Sequence, residues 1–184
     1  CYNYHNPVLN MNQRGITRFF AIFLVLIAFA PSGVMAEGTH KYKGEKSVGL
    51  RAGFTSRNTT ATAGLYFSYR FSEYFRVSPK IDYAFQHYGT DSFAFNFDTE
   101  YPVALGTSGR VNFYPIAGIN YSTFNIHYAD FEDSSMRTNR FGLNLGAGLE
   151  GYATPTLRLA LECKCLLIKQ YTGAWVNISI GYRF

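Results

Sequence analysis

Cys163 and Cys165 form a C-x-C pair, and three of the four histidines, His40, His87 and His127, lie near serines or carboxylates along the chain. These are the side chains from which a redox pair, a metal site or a nucleophilic centre would have to be assembled. On a strand, residues two apart share a face, and their Cα spacing is near the upper limit that a disulfide tolerates. With no second pair of ligands nearby in sequence, the spacing of a zinc site is not met. We therefore expect no metal, no cofactor, and two small apolar side chains on the outside of a strand, with a strained disulfide as the residual alternative. His87 stands close to Asp91 and Ser92, and His127 close to Ser122 and Asp130, the residue types of acyl transfer or hydrolysis. A triad is defined by geometry rather than by order in sequence, so neither set is diagnostic, and loop histidines at a rim are the ordinary reading.

A larger set of charges recurs at alternate positions: Arg51, Arg70, Arg76, Lys80, Asp82, Asp98, Glu100, Glu150, Arg158, Glu162, Lys164 and Arg183, interleaved with glycines. The acids among them could act as general acids, but carboxylates facing arginines serve charge satisfaction first. Their alternation points to the elements that carry them. Val176, Ile178, Ile180, Tyr182 and Phe184 share one face against Asn177, Ser179, Gly181 and Arg183, the period of two of a strand with one greasy side. The same pattern runs through Val48–Phe54, Ala61–Phe71, Phe75–Phe85, Phe93–Val103, Phe141–Leu149 and Leu157–Cys165, and more loosely through Arg110–Phe124, where Pro115 and Ile116 blur the phase. The total is eight strands. Pro79 removes a ladder donor, so a local irregularity is expected there.

The apolar set is nearly free of charge and rich in Phe, Leu, Ile and Tyr, whereas the polar set combines small residues with ions of both signs. Eight strands closed into a cylinder leave an interior just wide enough to fill with side chains, and an Arg or Lys facing lipid at mid-depth would cost about 2–4 kcal/mol. The pattern therefore predicts an all-β fold, an eight-stranded antiparallel up-and-down transmembrane β-barrel with ions inside and hydrocarbon outside. Phe71, Tyr74, Phe75, Tyr152, Tyr182 and Phe184 are expected at one rim, and Phe54, Phe85, Tyr88, Tyr121, Tyr171 and Trp175 at the other. Asn125–Asn139 has the polar composition of the longest exposed loop.

From Met11 the chain reads as a secretory leader: Arg14 and Arg18, an apolar run from Phe19 to Ala30, and a small-residue site ending at Ala36. The run is too short for the roughly twenty residues of a spanning helix. Residues 1–10 are read as upstream of the start, 11–36 as a cleaved signal peptide, 37–46 as a periplasmic lead-in, and 47–184 as the barrel. Mean hydropathy is −0.08 while aromatics reach 18%, as suits a chain in which only every second residue meets lipid. Without Arg14 and Arg18 the balance is 15 basic to 12 acidic residues, too small and dispersed an excess for nucleic acid.

Taken together, the eight strands and the terminal Ile178, Ile180, Tyr182 and Phe184 resemble the small OmpA/OmpX-like family of outer-membrane β-barrel proteins. The four residues resemble the signal by which such barrels are recognised for assembly. The resemblance implies residence in a bacterial outer membrane, contact with outer-membrane lipid and with the barrel-assembly machinery, and a monomer. It implies fold and location far better than activity, and the short loops depart from the OmpX pattern. Three functions stay open: a non-enzymatic structural or surface-interaction protein with a filled lumen, a lipid A-modifying acylase or deacylase, and a narrow small-solute channel.

Overall fold

The computed structural model describes residues 44–57, 59–106, 110–127 and 135–184. The expected upstream segment and signal peptide, most of the lead-in, His40 and Asp130 lie outside the described residues. Among the described residues there is no helix; strands joined by short connections make them up. They are β1 (Lys46–Thr55), β2 (Thr60–Arg70), β3 (Arg76–His87), β4 (Thr90–Glu100), β5 (Val103–Leu105), β6 (Val111–His127), β7 (Ser135–Tyr152), β8 (Leu157–Ile168) and β9 (Gly173–Arg183). Each pairs antiparallel with its sequence neighbour, except that β4 passes over the three-residue β5 to pair with β6, and β9 returns to β1. Eight long strands thus close into a barrel, with β5 added to the end of β6. Closure satisfies the backbone from strand to strand and leaves no free edge.

The barrel has a terminal end, where Lys46 and Phe184 exchange backbone hydrogen bonds at 3.0 and 2.9 Å, and an opposite loop end. Lys46 belongs to β1 rather than to the lead-in. At the loop end, β3 and β4 turn through Tyr88 (φ 49°) and Gly89 (φ 69°), the left-handed pair that a two-residue hairpin requires.

Large apolar side chains stand exposed on the outer wall, Leu50, Phe67, Phe95, Leu161 and Ile178 among them, while nearly every buried polar residue points inward. Cys163 and Cys165 are free thiols on that outer wall, two residues apart and not bridged. At Pro79 the β2–β3 ladder skips from Tyr66↔Lys80 to Tyr69↔Val77 with its register unchanged, whereas Pro79 pairs normally with Phe97 on the β4 side. The proline therefore interrupts one ladder. A separate register shift lies between Ala84 and His87.

Four expectations are corrected. Of the loop expected over Asn125–Asn139, Asn125–His127 and Ser135–Asn139 are strand, because β6 and β7 stay paired out to His127↔Ser135; residues 128–134 lie outside the described residues. Trp175 is not a rim aromatic: its parity matches Asn177 and Ser179, so it is buried inside. Tyr152 and Tyr171 likewise turn inward, onto Glu150 and Phe124 respectively.

Candidate functional site

The interior is built in layers. At the terminal end Glu45 Oε1 accepts from the Tyr152 hydroxyl at 3.0 Å, and Arg183 approaches Glu45 Oε2 at 3.7 Å. Arg183 is thus at the mouth, apart from the other eleven charges named from the sequence, all of which are buried.

The next layer centres on Glu150 of β7. Its Oε2 takes Arg76 Nη1 at 2.6 Å and Arg158 Nε at 2.7 Å, and its Oε1 takes Asn112 Nδ2 at 3.0 Å and Arg70 Nη2 at 3.3 Å. Arg76 Nε also donates to Glu100 Oε2 at 2.6 Å. Tyr66 and Tyr114, which the sequence did not single out, lie under these guanidiniums: Arg158 is 5.2 Å from the Tyr66 ring and Arg76 is 4.9 Å from Tyr114. Gly148 makes the room for this, since a Cβ there would overlap the Tyr114 ring.

Lys80 of β3 then reaches Glu162 of β8 at 2.9 Å, Glu100 at 2.9 Å and Asp98 at 3.2 Å. Arg51 bridges Asp82 and Glu162, both at 3.0 Å, and Lys164 lies 3.2 Å from Asp98. Six buried cations meet five buried carboxylates across these two layers. Above them the ions give way to amides. Asn120 donates to Asn144 at 2.7 Å, Asn144 to Asn96 at 2.9 Å, and Asn96 to Asp82 at 2.9 Å.

At the loop end the lining turns apolar: Ala84, Ala94, Phe124, Leu166, Ile168 and Trp175 pack together. Arg57, in the β1–β2 turn, closes this end with its guanidinium carbon 3.9 Å from the Phe124 ring and 4.0 Å from Tyr171. Burial pulls its pKa down to about 10, with Tyr171 opposing the shift, so it is charged at neutral pH.

The two histidine sets are taken apart. Asp91 pairs not with His87 but with His127, whose Nε2 is 2.9 Å from Oδ1. Asn125 donates to Asp91 Oδ2 at 2.9 Å, and the Tyr83 hydroxyl at 3.4 Å. Burial alone would raise the Asp91 carboxyl, but the hydrogen bonds from Asn125 and His127 outweigh it and hold the group below the usual carboxylate range. This cluster sits on the outer wall at the loop-end rim, on the parity of Phe93 and Tyr121. Ser92 and Ser122 are buried on the other side of the wall, so among the described residues no serine completes a triad. No cluster of metal-ligating side chains occurs among them either.

The comparisons agree with this architecture. Residues 21–184 match the family described as outer membrane protein beta-barrel domain. Among solved structures, the N-terminal β-barrel domain of Pseudomonas aeruginosa OprF superposes with a TM-score of 0.65 at 14% identity, covering 77% of this chain and 98% of that one. Neisserial surface protein A (NspA) gives 0.58 at 13% over 77% and 96%. Ail, the attachment invasion locus protein of Yersinia pestis, gives 0.57 at 15% over 77% and 99%. No curated protein matches the sequence.

Proposed function

Because the chain belongs to the outer membrane protein beta-barrel domain family, we propose that it is a filled, non-conducting barrel of the bacterial outer membrane with a structural or surface-interaction role, its contacts made at the loop end. The observation that carries this reading is the ionic lattice spanning the lumen, Lys80 to Glu162 above all. A water-filled channel needs a continuous path past those side chains, and an interior closed by direct ion pairs offers none. In this reading residues 11–36 are removed on export, the terminal end faces the periplasm and the loop end faces outward. The barrel works as a monomer in contact with outer-membrane lipid. Ile178, Ile180, Tyr182 and Phe184, on the outer wall of the strand that seals the β1–β9 seam, are the segment that the assembly machinery reads.

An epitope inserted after Phe131 tests the orientation: it is expected to be detected on intact cells, and detection only after lysis would overturn the reading.

A second reading, lipid modification at the outer wall, is favoured by one observation, the Asp91–His127 pair. There a carboxylate fixes one imidazole nitrogen while the half-exposed ring meets the membrane surface. Mass analysis of lipid A from cells carrying the protein or its His127→Ala variant decides it. Identical acyl patterns dispose of this reading; a pattern that changes with the protein and reverts in the variant would establish it.

A further inference from the structure

Every buried cation of the lumen has a carboxylate within 3.3 Å, whereas Arg57 at the loop-end mouth faces none among the described residues. Among the described residues its charge is supported by the ring faces of Phe124 and Tyr171. A guanidinium over aromatic faces keeps its five N–H donors, in the fork geometry that matches an oxyanion in two-point fashion. Arg57 also lines a cavity of about 10 Å³, the room that roughly one water or one oxyanion oxygen needs. Thr55, Ser92 and Ser122 line the same cavity, and of these the Ser122 hydroxyl is engaged, donating to Asn120 Oδ1 at 3.4 Å. The pocket thus joins a cation that has no carboxylate among the described residues to the hydroxyl-bearing Thr55 and Ser92 in low-dielectric surroundings, where a single anion gains most from pairing. Gly173 supports the arrangement, because a Cβ there would come within 2.9 Å of the Arg57 Cβ and push the stem out of its seat.

We propose that the loop-end mouth is a binding site for an oxyanion, a sulfate, phosphate or carboxylate group, with Arg57 as its anchor and the hydroxyls of Ser92 and Thr55 beneath it. The mouth lies at the end of the barrel rather than on the lipid-facing wall, so the group arrives from the aqueous side, free or borne on a soluble molecule. The inference rests on the reading above only for which side of the membrane supplies the ligand; binding in detergent micelles is independent of orientation, so the two fail separately.

The chain holds a single tryptophan, Trp175, and it lines this cavity. Titrating detergent-folded full-length protein with sodium sulfate or sodium phosphate, at ionic strength held constant with chloride, should give a saturable change in Trp175 emission. Arg57→Ala should weaken the response about tenfold or more, the loss of one charge-assisted pair, and Arg57→Lys should retain part of it. Heat-modifiable migration of both variants on a gel establishes that they fold. If neither anion gives a saturable change beyond chloride, or if folded Arg57→Ala responds as the parent does, the assignment is wrong. Vesicles containing phosphatidic acid, in phosphate-free and sulfate-free buffer, supply the lipid arm: emission unlike that in neutral vesicles would overturn the aqueous source.

Discussion

Lys80 and Glu162 meet at 2.9 Å although β3 and β8 stand four strands apart in a ring of eight, on opposite walls of the barrel. A side chain from each wall therefore spans the lumen, and the contact shows why the interior needs charges of both signs. Lys80 takes Asp98 and Glu100 as well, while Glu162 takes Arg51 and Tyr114. The pair is the crossing point of a lattice in which each carboxylate has at least two partners.

Removing a carboxylate from such a lattice leaves its cations buried with too few counter-charges, and breaking a buried pair in this way costs about 3–5 kcal/mol. Glu162→Ala is expected to lose that much in urea unfolding from detergent micelles, because Lys80 loses one of its three carboxylates and Arg51 one of its two. Arg183→Ala, at the mouth and 3.7 Å from its carboxylate, should cost clearly less, because the pair is longer and lies next to solvent at the barrel end. Equal effects at the two sites would mean that the interior is wet.

The outer wall predicts the opposite sensitivity. Leu161, 47% exposed at the middle of β8, faces hydrocarbon, so Leu161→Arg should cost about 2–4 kcal/mol on folding into vesicles. Phe85→Arg, close to the loop-end rim, should cost about 0–1 kcal/mol. A flat profile would place this wall in water.

The rim cluster gives a pH dependence. The folded Asp91 carboxyl lies below its ordinary value of 3.8, so what it contributes to stability is fully present above 3.8 and is lost as the pH falls through the lower, folded value. With His127 half-exposed, the effect is about 0.2–1 kcal/mol. Urea unfolding at pH 7, 5 and 3 should show the parent losing more on acidification than Asp91→Asn does; parallel acid limbs would show that the cluster contributes nothing.

Much of the fold was legible because strand alternation is local. Two residues apart means the same face, and one phase of greasy and one of charged residues fixes which side meets lipid. What the pattern does not carry is stagger. Which lysine meets which glutamate depends on the offset accumulated round the closed ring, so Lys80–Glu162 and Arg76–Glu150 are absent from any single strand.

Trp175 is misplaced from sequence for another reason, which it shares with Phe124, Leu166 and Ile168. They share the polar phase but lie above the ions, where the interior becomes a hydrophobic plug, and from sequence a tryptophan near a strand end reads as a rim anchor. Only parity with Asn177 marked Trp175 as inward. Arg57 lay in a turn with no periodicity to place it, and the Asp91–His127 pair joins residues from β4 and β6 that no sequence spacing brings together.

Single-channel recording in planar bilayers tests the filled lumen most directly. The folded, full-length protein is expected to give no resolved openings at neutral pH across the voltage range that the membrane tolerates, because Lys80, Arg51 and Glu162 close the axis. Regular, well-resolved openings from the unaltered protein would contradict it.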